Sequence, residues 1–361
     1  MLLWDGNCFF DRQMNKIGEE KNNRWLHRFA VLTAIATFLL LGAGGLVTSH
    51  EAGMSVPDWP NSYGYNMFAF PPSKWVGGIF YEHTHRLWAS AVGLMTTILA
   101  IWIYLKDSRK WMKWLGVAAF LLVVVQGILG GLRVVLVKAD LGVVHGVVGQ
   151  TFFILMCAIA LFTSDFWEKI SGQKLNVPRS LRNWVLATTL LIFLQLILGA
   201  TMRGQHAGLA IPDFPAAYGQ LWPDTSADAV ARYNADSTNP NTITAFQINL
   251  QMIHRAVALM IFIFVAATAI QAWRKLGLRD ALAKFSFFWF GLIVLQITLG
   301  AATVLTNKAA DVATAHVLVG ALSLVTGALW FIIAFRRSLR TATVENQNVA
   351  TIAFGNLAAN K

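Results

Sequence analysis

Long apolar runs alternate with polar breaks along the chain, and eight of the runs are long enough to cross a bilayer. A transmembrane helix needs about 20 apolar residues. Runs of this length cover residues 27–49, 84–105, 113–135, 142–164, 183–203, 251–272, 284–305 and 312–335. Apolar and polar residues do not alternate within the runs, which excludes membrane-spanning strands. The pattern therefore predicts an all-α polytopic membrane protein with eight transmembrane helices, whose longest breaks are 50–83 and 204–250.

The composition agrees with this class of protein. Hydrophobic residues make up 56% of the 361 residues and charged residues only 13%, whereas soluble domains usually contain roughly 25% charged residues. A soluble protein of this length would need far more polar surface to cover its core. The composition therefore excludes a soluble globular protein.

The net charge of +11 has two competing explanations. It marks either a surface that binds nucleic acid or anionic lipid, or the loop asymmetry of an inserted helical bundle. Of the 29 lysines and arginines, 21 lie in the segment up to Arg28, in three loops near 106–113, 165–182 and 274–284, or in the C-terminal tail. This distribution predicts that both termini are cytoplasmic and that the two long loops face outward. The charge thus indicates orientation and no nucleic-acid partner.

An internal repeat divides the chain into two halves. Residues 52–64 read AGMSVPDWPNSYG and residues 207–219 read AGLAIPDFPAAYG, with seven of the thirteen positions identical. Further matches follow in the same order: His85-Arg86 with His254-Arg255, Gln126-x-x-Leu129-Gly130 with Gln296-x-x-Leu299-Gly300, and His145 with His316. Because each unit has four spans, the copies should be parallel four-helix bundles related by an axis along the membrane normal.

The repeat also predicts the domain organisation. Residues 25–165 and 183–336 form the two four-helix halves, and a cytoplasmic linker at 166–182 joins them. Residues 1–24 form a cytoplasmic N-terminal extension, and residues 337–361 form a cytoplasmic tail. Acidic residues balance the basic ones in the extension, so we expect no targeting peptide there.

Four of the eight histidines are preserved by the repeat, and each lies near the start of an even-numbered span: His85, His145, His254 and His316. A histidine inside a span is costly and marks a functional site by default, although each could instead hydrogen-bond a neighbouring helix. Zinc would recruit further nitrogen, sulfur or oxygen ligands, and no Cys or Asp is suitably placed in these spans. Haem iron needs only two axial ligands from facing helices. The sequence therefore predicts two haem sites, His85 with His145 and His254 with His316.

A small residue follows each of these histidines by one helical turn, at Ala89, Gly149, Ala258 and Gly320. Such residues leave room for a flat macrocycle beside the imidazole, or they serve the ordinary close packing of membrane helices. Both interpretations are compatible with the sequence.

The two halves differ beside the first histidine. Glu82 precedes His85 by three residues, and the matching residue in the second half is Gln251. If the helix begins before its apolar run, this spacing puts Glu82 on the same helix face as His85. A carboxylate there can accept a proton or stabilise a developing cation better than an amide can; the alternative is a loop-facing glutamate without a chemical role. The difference predicts chemistry at the haem of the N-terminal half and a permanently bound haem in the C-terminal half.

Residues next to the site histidines carry weaker signals. Arg86 and Arg255 either anchor haem propionates or extend towards the membrane surface. The Pro-Asp-aromatic-Pro segments at 57–60 and 212–215 are typical of rigid turns. Their aromatic residue lies in the interfacial belt or closes over a haem. His83 has no partner in the repeat and is expected to be solvated.

Together these motifs resemble the haem A synthase family. The signature consists of one motif at the start of the second span and single histidines at the starts of the fourth, sixth and eighth: Glu82-x-x-His85-Arg86, His145, His254-Arg255 and His316. The resemblance covers residues 25–335. The chain departs from those bacterial members that carry a cysteine pair in the first outer loop, because residues 50–83 contain no cysteine.

The resemblance implies an activity and a role for each site residue. Members of the family oxidise the C8 methyl group of haem O to the formyl group of haem A, which serves terminal oxidases in the bacterial cytoplasmic (inner) membrane. By position, haem O would lie between His85 and His145, with Glu82 catalytic. A haem b cofactor would lie between His254 and His316.

The expected partners are haem O, the lipid bilayer, the haem O synthase that supplies the substrate, and an electron acceptor, while a homo-oligomer is left open. A competing function is a di-haem b electron-transfer protein, such as a quinol-linked cytochrome b. Such a carrier places its haems on opposite sides of the membrane, whereas all four histidines lie towards one leaflet. A transporter would show broken helices or midplane charges, and the spans show neither.

Overall fold

The computed structural model describes residues 23–170, 177–236 and 242–359, with side chains up to Arg337. Within these ranges, eight helices are long and apolar enough to cross a membrane. They are α1 (Arg24–Ser49), α2 (Gly78–Lys106), α3 (Lys110–Val135), α4 (Ala139–Phe162), α6 (Arg179–Gly204), α8 (Ala245–Leu276), α9 (Ala281–Leu305) and α10 (Ala310–Ala359). Two shorter helices complete the set, α5 (Asp165–Ile170) and α7 (Ala227–Ala235). The prediction of an all-α, multi-pass membrane protein is confirmed.

Parts of the predicted cytoplasmic segments lie outside the described residues. These are residues 1–22 of the N-terminal extension, residues 171–176 of the linker and residues 360–361 of the tail. The domain boundaries drawn from the repeat therefore stay predictions. In the ranges that the structure describes, β-pairing is limited to two isolated bridges, Ser62 with Tyr65 and Ala217 with Gln220.

Every long helix begins two to six residues before its predicted apolar run, because polar residues continue the helix beyond the apolar band. The second helix begins at Gly78, so Glu82 lies inside it. Side chains cap several of these helices: Asn23 accepts from the first backbone N–H groups of α1. Thr244 and Gln247 form a capping box at the start of α8.

The long helices pack in two groups. Within the first, α1 to α4 contact one another in chain order, and α1 also contacts α4; within the second, α6, α8, α9 and α10 do the same. Each group has its own buried apolar core, which includes Leu99 and Met156 in the first and Trp289 and Trp330 in the second. This arrangement is compatible with two four-helix bundles, while the proposed axis that relates them stays a prediction.

The two groups meet through α1 and α4 of the first and α6 and α10 of the second, a surface that we call the seam. Small residues bring α1 and α10 close together. A Cβ atom built on Gly45 would lie 2.9 Å from Thr314 Cγ2, and one built on Gly42 would lie 3.4 Å from Leu318 Cδ1. Contact through small residues is a usual way for membrane helices to associate.

At the opposite end of the molecule from the long loops, a buried ion pair joins α9 to α10. The Asp280 carboxylate accepts from Arg337 NH1 at 3.0 and 3.2 Å, and it also caps α9 by accepting from Leu282 N at 2.7 Å. Both side chains are almost fully buried. Removing one partner leaves a charge buried without its counterion, which is strongly unfavourable.

We expect Asp280→Ala to lower the free energy of unfolding by about 3–5 kcal/mol, since it breaks this pair and the helix cap. Thermal and denaturant unfolding of the detergent-solubilised protein would measure the change. The exposed Asp236, whose side chain makes none of these bonds, is the matched control; Asp236→Ala should stay within about 0.5 kcal/mol of the wild type. Equal losses in the two variants would contradict the proposed importance of the pair.

Candidate functional site

Both histidines of the first group lie against a glycine of the preceding helix. A Cβ atom built on Gly44 of α1 would lie 3.1 Å from Nε2 of His85 on α2. One built on Gly130 of α3 would lie 3.3 Å from Cε1 of His145 on α4. A side chain at either position would displace the imidazole, so the two glycines provide the space in which the rings lie.

The second group repeats this arrangement at the matching positions. A Cβ atom built on Gly199 of α6 would lie 3.3 Å from Cε1 of His254, and one built on Gly300 of α9 would lie 3.1 Å from Cε1 of His316. All four site histidines therefore lie against a glycine, with Nε2 the nearest ring atom in His85 and Cε1 the nearest in the other three. Gly44 and Gly199 were not predicted as site residues, although Gln195-x-x-Leu198-Gly199 repeats the motif around Gly130 and Gly300.

The glutamine of this motif holds the histidine helix. Gln126 Nε2 donates to the backbone oxygen of His145 at 3.2 Å, and Gln195 Nε2 donates to that of His254 at 2.8 Å. At the fourth histidine, the imidazole ring contacts the backbone of the motif glutamine: His316 Nδ1 lies 3.1 Å from the Gln296 backbone oxygen. An Nδ1–H that donates there leaves Nε2 with a free lone pair, the form in which histidine binds a metal.

The structure brings the histidines together in the predicted pairs. His85 lies close enough to His145 for electrostatic interaction, and so does His254 to His316. The Nδ1 atoms of His145 and His254 are buried and have no hydrogen-bond partner in the part of the chain that the structure describes. Among those residues no three His, Cys, Asp or Glu side chains form a metal-binding group. Each pair thus offers two imidazoles, which fits axial ligation of haem iron.

At two of the small residues that follow the histidines, side chains of neighbouring helices occupy the adjacent space. A Cβ atom built on Gly320 would lie 3.0 Å from Gln296 Nε2 and 3.1 Å from Leu196 Cδ2. One built on Gly149 would lie 3.6 Å from Leu41 Cδ2 and 3.8 Å from an amide nitrogen of the motif glutamine on α3. At these two positions the structure favours ordinary helix packing over space for a macrocycle.

Glu82 is 4% exposed, and both of its carboxylate oxygens are engaged. Oε2 accepts from Val56 N at 2.8 Å, and Oε1 accepts from Arg86 NH2 at 2.8 Å. At the matching position, Gln251 Oε1 accepts from Ile211 N at 2.7 Å. The bond to the loop backbone is thus the same in both halves. What distinguishes Glu82 is its charge and its ion pair with Arg86.

The arginines after the site histidines hold the outer loops. Arg86 donates to the backbone oxygens of Val56 at 2.7 Å, Asp58 at 2.6 Å and Asn61 at 3.0 Å. Arg255 donates in the same way to the loop of the second half, to the oxygens of residues 213 and 216, at 2.8 Å each. In this structure the guanidinium donors that would bind propionates are therefore used by loop carbonyl groups.

The repeated loop segment forms a turn closed by its own side chains. The Asp58 carboxylate accepts from Tyr63 N at 2.7 Å and Gly64 N at 2.8 Å, while the Tyr63 hydroxyl donates to Ser55 O at 2.6 Å. The second loop makes the corresponding bonds around Asp213. Burial acts to raise the pKa of the Asp58 carboxyl, but the backbone N–H groups that donate to it outweigh burial and lower that pKa below its ordinary value. The prediction of rigid turns is consistent with this geometry.

The prediction that His83 is solvated is wrong, because the first outer loop folds over it. His83 is fully buried, with Nδ1 3.2 Å from Ser62 Oγ. Its ring lies against those of Phe70 and Trp75, with centroids 4.9 and 4.7 Å away. The matching residue of the second half is the buried Met252. The halves therefore differ in polarity at this position too, with His83 in the first and Met252 in the second, besides the difference between Glu82 and Gln251.

Comparison with known proteins gives the same family as the motifs. A family model described as COX15-CtaA, cytochrome oxidase assembly protein, matches residues 27–328. The protein named heme A synthase from Lysinibacillus sphaericus (strain C3-41) is 24% identical over 316 residues, which cover 87% of this chain and 95% of that protein. The heme A synthase of Bacillus cereus (strain 03BB102) is 27% identical over 301 residues, which cover 82% and 88%. The chain therefore belongs to the COX15-CtaA family of cytochrome oxidase assembly proteins.

Proposed function

We propose that this protein is a haem A synthase, an enzyme of haem A biosynthesis that oxidises the C8 methyl group of haem O to a formyl group. The observation that carries the proposal is the pair of histidines in each half, each packed against a glycine of the preceding helix. Two imidazoles from facing helices are the ligand set of a haem iron. The relatives named heme A synthase, which align with more than four fifths of the chain, support this activity.

The two sites have different occupants in this proposal. Haem O, the substrate, lies between His85 and His145, and haem b, the resident cofactor, lies between His254 and His316. When bound, haem b supplies one-electron redox chemistry. The His316 ring lies with Nδ1 3.1 Å from the Gln296 backbone oxygen, and an Nδ1–H that donates there would leave Nε2 free to hold that cofactor. The protein's part is to hold both porphyrins and to exclude wrong orientations.

Glu82 is the catalytic residue of the substrate site. Its helix position puts it one turn before His85, and its two bonds hold the carboxylate at the end of the site. A carboxylate held in place there can take up a proton from the reacting group or stabilise positive charge that develops on it. Gln251 makes the same loop bond without a charge, which suits a site that only retains a cofactor.

The distribution of basic residues indicates a location and an orientation. We place the protein in a bacterial cytoplasmic membrane with both termini in the cytoplasm, because most lysines and arginines lie in the predicted cytoplasmic segments. Both histidine pairs then lie towards the outer face, beneath the two long loops. The haem O synthase that supplies the substrate and an electron acceptor are the partners that this reaction requires. No observation favours the quinol-linked di-haem cytochrome predicted as the alternative.

Co-expression with a source of haem O tests the proposed reaction. We expect extracted haems to contain haem A together with the alcohol that precedes the aldehyde, and cells without the protein to contain haem O and neither of these products. Chromatography and mass spectrometry of the extracted haems measure the products. If the protein accumulates in the membrane and neither haem A nor the alcohol is recovered, the proposed activity is wrong.

A further inference from the structure

Two arginines near the histidine pairs have no role so far. Arg133 lies on α3 and Arg203 lies near the end of α6, and the two are close enough for their charges to interact. Arg133 also interacts electrostatically with His85 and His145, and Arg203 interacts with His316. Neither belongs to the repeat, since the matching residues in the other half are Thr303 and Thr48. The chain has thus placed one extra cation at each site.

Arg133 is held in place without a polar partner. Among the described residues it makes no hydrogen bond and no ion pair, and its Nε atom is buried. The side chain lies between two glycines. Cβ atoms built on Gly142 and Gly53 would lie 2.9 Å from its Nε and Cζ atoms, respectively. Gly208, which matches Gly53 in the second half, has open space around it. The space between the glycines is therefore specific to this arginine.

Arg203 crosses the seam between the two groups of helices. Its NH2 group donates to Gly45 O at 2.8 Å and to Ser49 Oγ at 2.6 Å, both on α1. These acceptors are neutral, and no carboxylate of the described residues pairs with Arg203. Its other guanidinium nitrogens make no hydrogen bond to the described residues. Two neighbouring cations thus lie partly buried, and neither forms an ion pair with a carboxylate of the described residues.

This arrangement is costly unless an anion completes it. Like charges in a partly desolvated site repel each other, and a buried charge without a partner is strongly unfavourable. Glu82 lies near enough to Arg133 to interact with it, but its oxygens already bind Arg86 and Val56 N. A guanidinium binds a carboxylate through two parallel hydrogen bonds, which is the strongest such pairing that proteins use. A ligand with carboxylates at one edge fits this requirement.

We propose that Arg133 and Arg203 bind the propionate carboxylates of the two haems, Arg133 for the haem at His85 and His145, and Arg203 for the haem at His254 and His316. The inference rests on the proposed function. It also gives Arg133 a role in the reaction. The C8 methyl group neighbours a propionate-bearing carbon on the porphyrin ring, so a carboxylate held by Arg133 positions that methyl group at the end of the site where Glu82 lies. Arg133 is thus a positioning residue.

Haem binding by the purified full-length protein tests the proposal without relying on activity. Free-acid haem O and its dimethyl ester, in which both carboxylates are blocked, are titrated into protein depleted of substrate haem, and absorbance reports binding. We expect the wild type to prefer the free acid by about 10- to 100-fold, as loss of a charge-assisted hydrogen bond costs about one to two powers of ten. Arg133→Gln should bind the free acid more weakly by a similar factor and should lose the preference.

Several matched variants separate this role from a structural one. Arg133→Lys keeps the charge and should retain part of the preference, whereas Arg232→Gln, on the exposed helix α7, should leave it unchanged. Arg203→Gln should weaken retention of the resident haem and leave the titrated site unaffected. Circular dichroism and size-exclusion profiles identify a variant that has not folded, in which case Arg133→Lys and the ester carry the test.

The outcomes distinguish this inference from the function on which it rests. A wild type that binds free acid and ester equally, or an Arg133→Gln variant that keeps the wild-type preference, overturns the carboxylate site while haem A synthesis stands. A wild type that binds neither compound and makes no haem A overturns the function, and the site with it.

Discussion

We expect the Glu82→Gln variant to lose haem A formation by at least about 100-fold, the lower end of what a general acid or base contributes. Glutamine keeps the bond to the loop, because Gln251 accepts from Ile211 N at 2.7 Å at the matching position. The substitution therefore removes the charge while the loop anchor remains. Extracted haems from cells that co-express the variant and a source of haem O would measure the loss.

The reciprocal substitution is the control for this prediction. Gln251→Glu should leave haem A formation near the wild-type level, because the second half takes no part in the proton chemistry. The resident haem, identified by its absorbance in the purified protein, should be present in both variants. If Glu82→Gln gives the wild-type yield of haem A, Glu82 only anchors the loop and has no catalytic role. If the variant lacks the resident haem, the substitution has damaged the structure.

The second large effect is expected at the resident haem. His316→Ala removes an axial ligand, so we expect the purified variant to contain less than about a tenth of the wild-type haem b. Changes in groups that merely orient a metal ligand already cost about 10- to 100-fold in affinity. Pyridine haemochrome assays on purified protein measure the haem content per chain. Haem A formation should fall with it, because the cofactor is absent.

The matching histidine of the first half gives the contrast. His85→Ala should retain the resident haem b and its spectrum, and it should fail to make haem A because the substrate is no longer held. The two variants therefore lose the same product for different reasons, which the haem content separates. Retention of haem b in His316→Ala, or its loss in His85→Ala, would contradict the assignment of cofactor and substrate to the two halves.

Periodicity and repeats were sufficient to predict the spans and the pairing of the histidines. Continuous apolar runs of this length cross a membrane as α-helices, because a helix hydrogen-bonds every backbone group within its own segment. The repeat predicted which histidines form a pair, since His145 and His316 recur at the same place in each half. Gly44 was missed because a glycine in an apolar span gives no signal of its own.

Contacts made by the outer loops could not be predicted in the same way. Arg86 binds three backbone oxygens, and carbonyl groups are present at every residue, so the sequence does not identify an acceptor. His83 is buried because Phe70 and Trp75, 13 and 8 residues before it, fold back onto its ring. Such contacts depend on the path of an irregular loop, which has no periodicity.

The contact between each imidazole and a backbone glycine has a consequence for ligand binding. A ring packed against main-chain atoms, such as His145 on Gly130, has few alternative rotamers to lose when a ligand arrives. The entropic penalty of binding is therefore met during folding rather than at the moment of binding. A side chain held in this way also keeps its direction between turnovers, so a site that releases its product and takes up new substrate is ready without rearrangement.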